Sequence, residues 1–141
     1  MHQPIAELPA IVETSNASIR RFNDFGHPYG GGIDVTWGKV SAGMDVTPLL
    51  EATTEDYSHC CRWGYIAQGA IHVRYADGTE EVATESEAVF WPPGHAIYTA
   101  DQNVEFLFFT SQEEPDSRIA HLKQTESNKG RSQDNWDRIP L

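Results

Sequence analysis

The chain has 141 residues, enough for one domain with a substantial core and short for two. Apolar residues make up 39% and charged residues 22%, an ordinary globular balance, and no apolar run approaches membrane-spanning length. The formal charge of −11, from 21 acidic and 10 basic residues, repels phosphate backbones, and no basic run reverses it locally, which argues against nucleic-acid binding.

The N-terminus, MHQPIAELPA, has neither the basic start nor the apolar stretch of a secretory signal, so a cytoplasmic location is expected. Residues 1–32 read as an irregular N-terminal arm, interrupted by Pro4, Pro9 and Pro28. Within it SIRRF at 18–22 suits a short edge strand, and HPYGGG at 27–32 a flexible connector. From residue 33 the pattern becomes regular. Ile33, Val35 and Trp37 alternate with Asp34, Thr36 and Gly38, the period of a half-buried strand, and Met44, Val46, Pro48 and Leu50 alternate again. Glu51 to Asp56 is polar and reads as a loop.

HCCRWGYIAQ, AIHVRY and TEEVA follow as strands, the last two joined by Ala76-Asp77-Gly78, a strong hairpin signal. EAVFW, AIYTA and VEFLFFT complete the series. No helical period is sustained between 33 and 110, so these residues are expected to form an all-β barrel or sandwich. Residues 111–141 form a polar tail, partly helical around Ile119 and Leu122 or disordered. Its later anchors are Trp136, Ile139 and Leu141.

The stretch GYIAQGAIHVRYADG followed by EAVFWPPGHAIY resembles the cupin superfamily, whose fold is a double-stranded β-helix or jelly-roll barrel. The resemblance covers residues 33–110, and its most specific piece is Pro92-Pro93-Gly94-His95 after an apolar strand. Metal-binding cupins carry two His motifs with a glutamate between them. Aligned on Gly69, Arg62 takes the glutamate position, Ser58 or Tyr57 the second histidine and Asp56 or Glu55 the first. In the second motif Pro92 and Gly94 match, while Ser86 replaces the leading glycine, Ile97 the histidine and Asp101 the asparagine. The resemblance therefore implies the fold without its standard metal ligands.

The resemblance implies that the glutamate column points inward; strand alternation then puts Cys60 with Arg62 on that face and His59 and Cys61 on the other, unless a bulge at Gly64 reverses them. His95, two residues before Ile97, shares the inward face. Three readings of Cys60, Arg62 and His95 remain open. In the first they are structural: Arg62 pairs with an acid, His95 bonds a carbonyl, and Cys60 is a small buried group. In the second Arg62 replaces a metal as the fixed cation and grips an anion. In the third an atypical divalent metal is held by His59, Cys61, His72 and His95, or by Cys60. An inward Arg62 opposes that by several kcal/mol, on the order of Coulomb's law at about 4 Å.

A nucleophilic Cys60 is a weaker reading, with no thiol-enzyme signature around it, and Cys60-Cys61 cannot form an ordinary disulfide because neighbouring Cα atoms are only about 3.8 Å apart. Free thiols agree with a reducing compartment.

The expected function is binding, or acting on, a small polar or anionic molecule in the barrel, without a metal cofactor. Arg62 would fix the anion, with Cys60 beside it. His95 and Tyr98 would offer hydrogen bonds, and Trp63 or Trp91 an apolar wall. A metal-dependent oxygenase or isomerase with atypical ligands is the alternative, and a structural or sensory barrel the third. Phe106 and Phe108 alternate with Leu107 and Phe109, so that strand needs cover on both faces; a homodimer is the economical expectation and the tail the competing cover.

Overall fold

A computed structural model of the chain describes residues 2–26, 32–51 and 57–111. Among these, nine strands form two antiparallel sheets. They are β1 (Ala10–Glu13), β2 (Ala17–Phe25), β3 (Ile33–Val40), β4 (Arg62–Gln68), β5 (Ala70–Tyr75), β6 (Glu80–Thr84), β7 (Ala88–Trp91), β8 (His95–Tyr98) and β9 (Val104–Ser111). The larger sheet runs β1-β2-β3-β9-β4-β7 and the smaller β6-β5-β8. No helix of the described residues is long and apolar enough to cross a membrane.

The expectation of an irregular N-terminal arm is corrected for residues 10–25. They form β1 and β2, and β2 pairs with β3 along its length, Ile19 opposite Gly38 and Phe22 opposite Val35. SIRRF is therefore internal, since β1 takes the edge. Ala17 and Ile19 are buried, but the next inward residue is Arg21. A charged residue in the inward set breaks the apolar alternation by which a strand is read. Most of HPYGGG, the residues from 52 to 56 and those from 112 to 141 lie outside the described residues.

The second correction concerns Met44–Leu50, read as a strand. Thr47–Glu51 is a one-turn helix, α1, following an isolated bridge from Asp45 to Tyr98. Val46 and Leu50 stand four apart, which suits a helix turn as well as an alternating strand. The Leu49 and Leu50 amides both donate to the Val46 carbonyl, at 3.0 and 3.1 Å, while Thr47 Oγ1 accepts from Ile97 N–H at 2.9 Å and ties the turn to β8.

Both sheets contribute to one core, including Ile19, Val40, Ile66, Ile71, Val73 and Ile97. At its centre Phe106 and Phe108 stack with ring centroids 4.2 Å apart, and Trp91 meets Phe108 edge-on at 5.3 Å. Room for these rings comes from residues without side chains. A Cβ at Gly64 would lie 2.4 Å from both Phe108 Cδ1 and the Leu107 carbonyl oxygen. Gly64 thus serves close packing rather than a bulge: β4 keeps register with β9 from Trp63 to Ile66, and the irregularity falls between Ile66 and Gln68.

The PPG turn behaves as its residues suggest, with Gly94 at φ +97° and its N–H donating to Ser58 O at 2.8 Å. Ser86 adopts φ +69°, so the backbone shape of the missing glycine persists under a serine.

Candidate functional site

At one end of the larger sheet the inward side chains change from apolar to polar. Arg21 faces Thr36 across β2 and β3, Asp34 faces Thr110 across β3 and β9, and Arg62 faces Trp91 across β4 and β7. Arg62 is 3% exposed. Its Nη2 donates to Glu51 Oε2 at 3.1 Å and its Nη1 to Thr110 Oγ1 at 3.4 Å. Arg21 donates through Nε to Thr36 Oγ1 at 3.0 Å and through Nη2 to the Leu50 carbonyl at 2.6 Å. Asp34 Oδ1 accepts from the Asp24 amide at 3.0 Å. The end of α1 therefore supplies two acceptors, one for each arginine.

These groups line an open cleft of about 510 Å³. Cys60 also lines it, half-buried, held by a reciprocal pair of hydrogen bonds with Ser58 at 3.1 and 3.3 Å. Ile11, Val12, Pro48 and Leu49 form an apolar flank. The Arg21 guanidinium is pushed below its usual pKa, first by burial and then by the Arg62 charge, while Asp34, Glu51 and Cys60 act in the opposite sense. Two cations share one wall: Glu51 pairs with Arg62, while Arg21 is held by the Thr36 hydroxyl and the Leu50 carbonyl with the Asp34 charge nearby.

His95 is fully buried beside the Trp91 ring, centroids 5.6 Å apart, and does not line the cleft. Its Nδ1 lies 2.7 Å from the Pro92 carbonyl, which fixes that nitrogen as the donor. Nε2 is then an acceptor, buried without a hydrogen-bond partner among the described residues. Burial lowers the His95 pKa most, and Arg62 lowers it further, against the Pro92 bond and the Glu51 charge. Burial therefore favours the neutral ring.

Of the residues expected at the barrel mouth, Cys60 and Arg62 meet in the cleft. Trp91 is a core residue, 1% exposed. Trp63 and Tyr98 are corrections: alternation turns each away from its inward neighbours, Arg62 on one strand and His95 and Ile97 on the other. Trp63 lies on the outer sheet face, 40% exposed, and Tyr98 stacks on His72 at 5.2 Å with Arg74 5.9 Å from its ring.

The sequence pattern does not mark Arg21, Asp34, Glu51 or Thr110 as site residues. Arg21 was visible in the sequence as the residue two after Ile19, whereas Glu51 carried no signal beyond its charge.

The residues do not suit the metal that the fold family's motifs hold. Arg62 places a cation where the ligand carboxylate would be, Ile97 offers no donor atom, and His59, exposed, and His72 stand away from the cleft. Among the described residues no three His, Cys, Asp or Glu side chains group as a metal set.

No family model matches the chain, and no curated protein does. Solved structures do. The polyketide cyclase RemF from Streptomyces resistomycificus aligns over 82% of this chain and 81% of its own, at 22% identity and TM-score 0.57. The ethanolamine utilization protein EutQ of Salmonella typhimurium aligns over 70% and 71%, at 14% and 0.51. Oxalate decarboxylase from Lactobacillus farciminis, in its formate complex, aligns over 79% of this chain at 17% and 0.54, and this chain spans 32% of it. All three are cupin-fold proteins, and the likeness establishes that fold here.

Proposed function

We propose that this cupin-fold chain binds a small organic monoanion in the cleft beside Arg21 and Arg62, without a metal ion. The observation that carries this reading is the meeting of two guanidinium groups on the wall of an open cleft whose volume, about 510 Å³, lies in the range of small-ligand pockets. Arg21 Nη1 has no hydrogen-bond partner among the described residues, and it gives a carboxylate a charged donor. Ile11, Val12, Pro48 and Leu49 would cover the carbon skeleton. Asp34 and Glu51 balance the two arginines, so a second or third negative charge on the ligand would meet carboxylates. This disfavours phosphorylated compounds.

A second reading is a barrel in which the Arg62–Glu51 pair only closes one end of the core; the 3.1 Å bond between these groups favours it. Calorimetry separates the two. The ligands are a panel of small aliphatic and aromatic monocarboxylates, with inorganic phosphate as the control, and elemental analysis is run on the protein as isolated. The expected result is saturable binding of a monocarboxylate, weakened about 10- to 100-fold by Arg21→Gln, the range of a charge-assisted hydrogen bond. Stoichiometric iron, zinc, manganese or nickel would sink the metal-free reading. Failure of the whole panel would leave the structural barrel.

A further inference from the structure

The outer face of the larger sheet carries two apolar rows that the core does not use. Register places Phe22, Val35, Phe109, Trp63 and Phe90 side by side across β2, β3, β9, β4 and β7. The neighbouring row is Arg20, Trp37, Leu107, Tyr65 and Ala88 on the same strands. Trp63 is 40% exposed, and Tyr65 and Phe90 are 44% exposed. Trp63 and Phe90 lean together with ring centroids 5.2 Å apart, so they form one surface rather than separate bumps.

We infer that this face is a homodimer interface, covered by the same face of a second copy. Size is the first reason. Five strands at about 4.8 Å spacing and two rows about 7 Å apart make a patch of roughly 24 by 14 Å before its rim is counted. That is on the order of 350 Å² of flat area, within the roughly 300–600 Å² typical of functional apolar patches. With a polar rim it approaches the roughly 800 Å² per partner of a stable dimer.

Charge is the second reason. The chain carries −11, yet Arg20 is the only charged residue in the two rows. Sheet-on-sheet packing through this face joins the neutral centres and leaves the acidic surfaces outside. The chain's own residues 112–141 are the poorer match: their large apolar side chains are Ile119, Leu122, Trp136, Ile139 and Leu141, spaced along a polar segment.

Sedimentation velocity of the full chain over a concentration series tests this. The wild type is expected at twice the 15.8 kDa chain mass. Tyr65→Lys and Phe90→Glu, both at exposed positions, should weaken the dimer at least about 100-fold, because each places two uncompensated charges in the interface. Trp136→Ser should leave it unchanged. Circular dichroism establishes that each variant is folded, and a folded Tyr65→Ser replaces any that is not. A monomeric wild type overturns the inference. So does an unchanged dissociation constant in the folded face variants, or a dimer lost only in Trp136→Ser.

Discussion

Replacing Glu51 by Gln tests whether the Arg62–Glu51 pair is a buried ionic contact or a screened surface one. The two side chains are 3% and 13% exposed and meet at 3.1 Å. With charge centres about 4 Å apart and an effective ε of about 20, their attraction is about 4 kcal/mol. In the intact protein, desolvation of both groups offsets much of this. In the single variant it does not, because the guanidinium stays buried with Thr110, at 3.4 Å, as its remaining side-chain partner among the described residues. The expected loss is about 3 kcal/mol, the low end for breaking a buried pair, since Glu51 keeps some contact with water and Gln still offers an acceptor. For a chain of this length that lowers Tm by roughly 9 °C. Urea and thermal denaturation followed by circular dichroism at pH 7 read it directly. The double variant Glu51→Leu/Arg62→Met should return to within about 1 kcal/mol of wild type. A single variant within about 0.5 kcal/mol of wild type would refute the reasoning. So would a double variant as costly as the sum of the two singles.

His95, with its pKa depressed below 6.5 by burial, stabilises the fold above the unfolded-state value and progressively less as pH falls below it, when only the unfolded chain takes up the proton. Denaturant titrations between pH 7.5 and 5 should therefore show stability falling with a slope of up to about 1.4 kcal/mol per pH unit from this group. A His95→Gln variant with an equally steep profile would assign the dependence elsewhere. Gly64→Ala should cost several kcal/mol, on the order of other overpacked cores, because its Cβ would meet backbone and ring at 2.4 Å; a melting curve within about 2 °C of wild type contradicts the packing. Ser86→Gly should raise stability by up to about 1 kcal/mol, since the residue already sits at φ +69°, and a loss would mean that the serine side chain contributes more than its strain.

Most strands from β3 onward were legible because alternation is a local property. In AIHVRY, Ile71 and Val73 alternate with His72 and Arg74, and in the fold the apolar pair is the buried one. Arg62, which is buried in the fold, was placed inward by the resemblance's glutamate position and not by alternation. Where a charged residue occupies an inward position the reading fails, as at Arg21 in β2. A single helical turn has no period to detect, and so α1 was read as strand and Glu51 as loop.

The site depended on information of another kind. Alternation says which face a side chain takes, but not which strands are neighbours or in what register. β9 lies between β3 and β4, a non-local pairing that brings Thr110 between Asp34 and Arg62, far apart in the chain. Only that arrangement, with α1 closing the end, sets Glu51 against Arg62 and Leu50 O against Arg21. The sequence by itself determined that a cation stands at the motif's acidic position. The tertiary structure decided which acid balances it, because ion pairing needs contact within a few ångströms and residues 51 and 62 acquire that only when both sheets are in place.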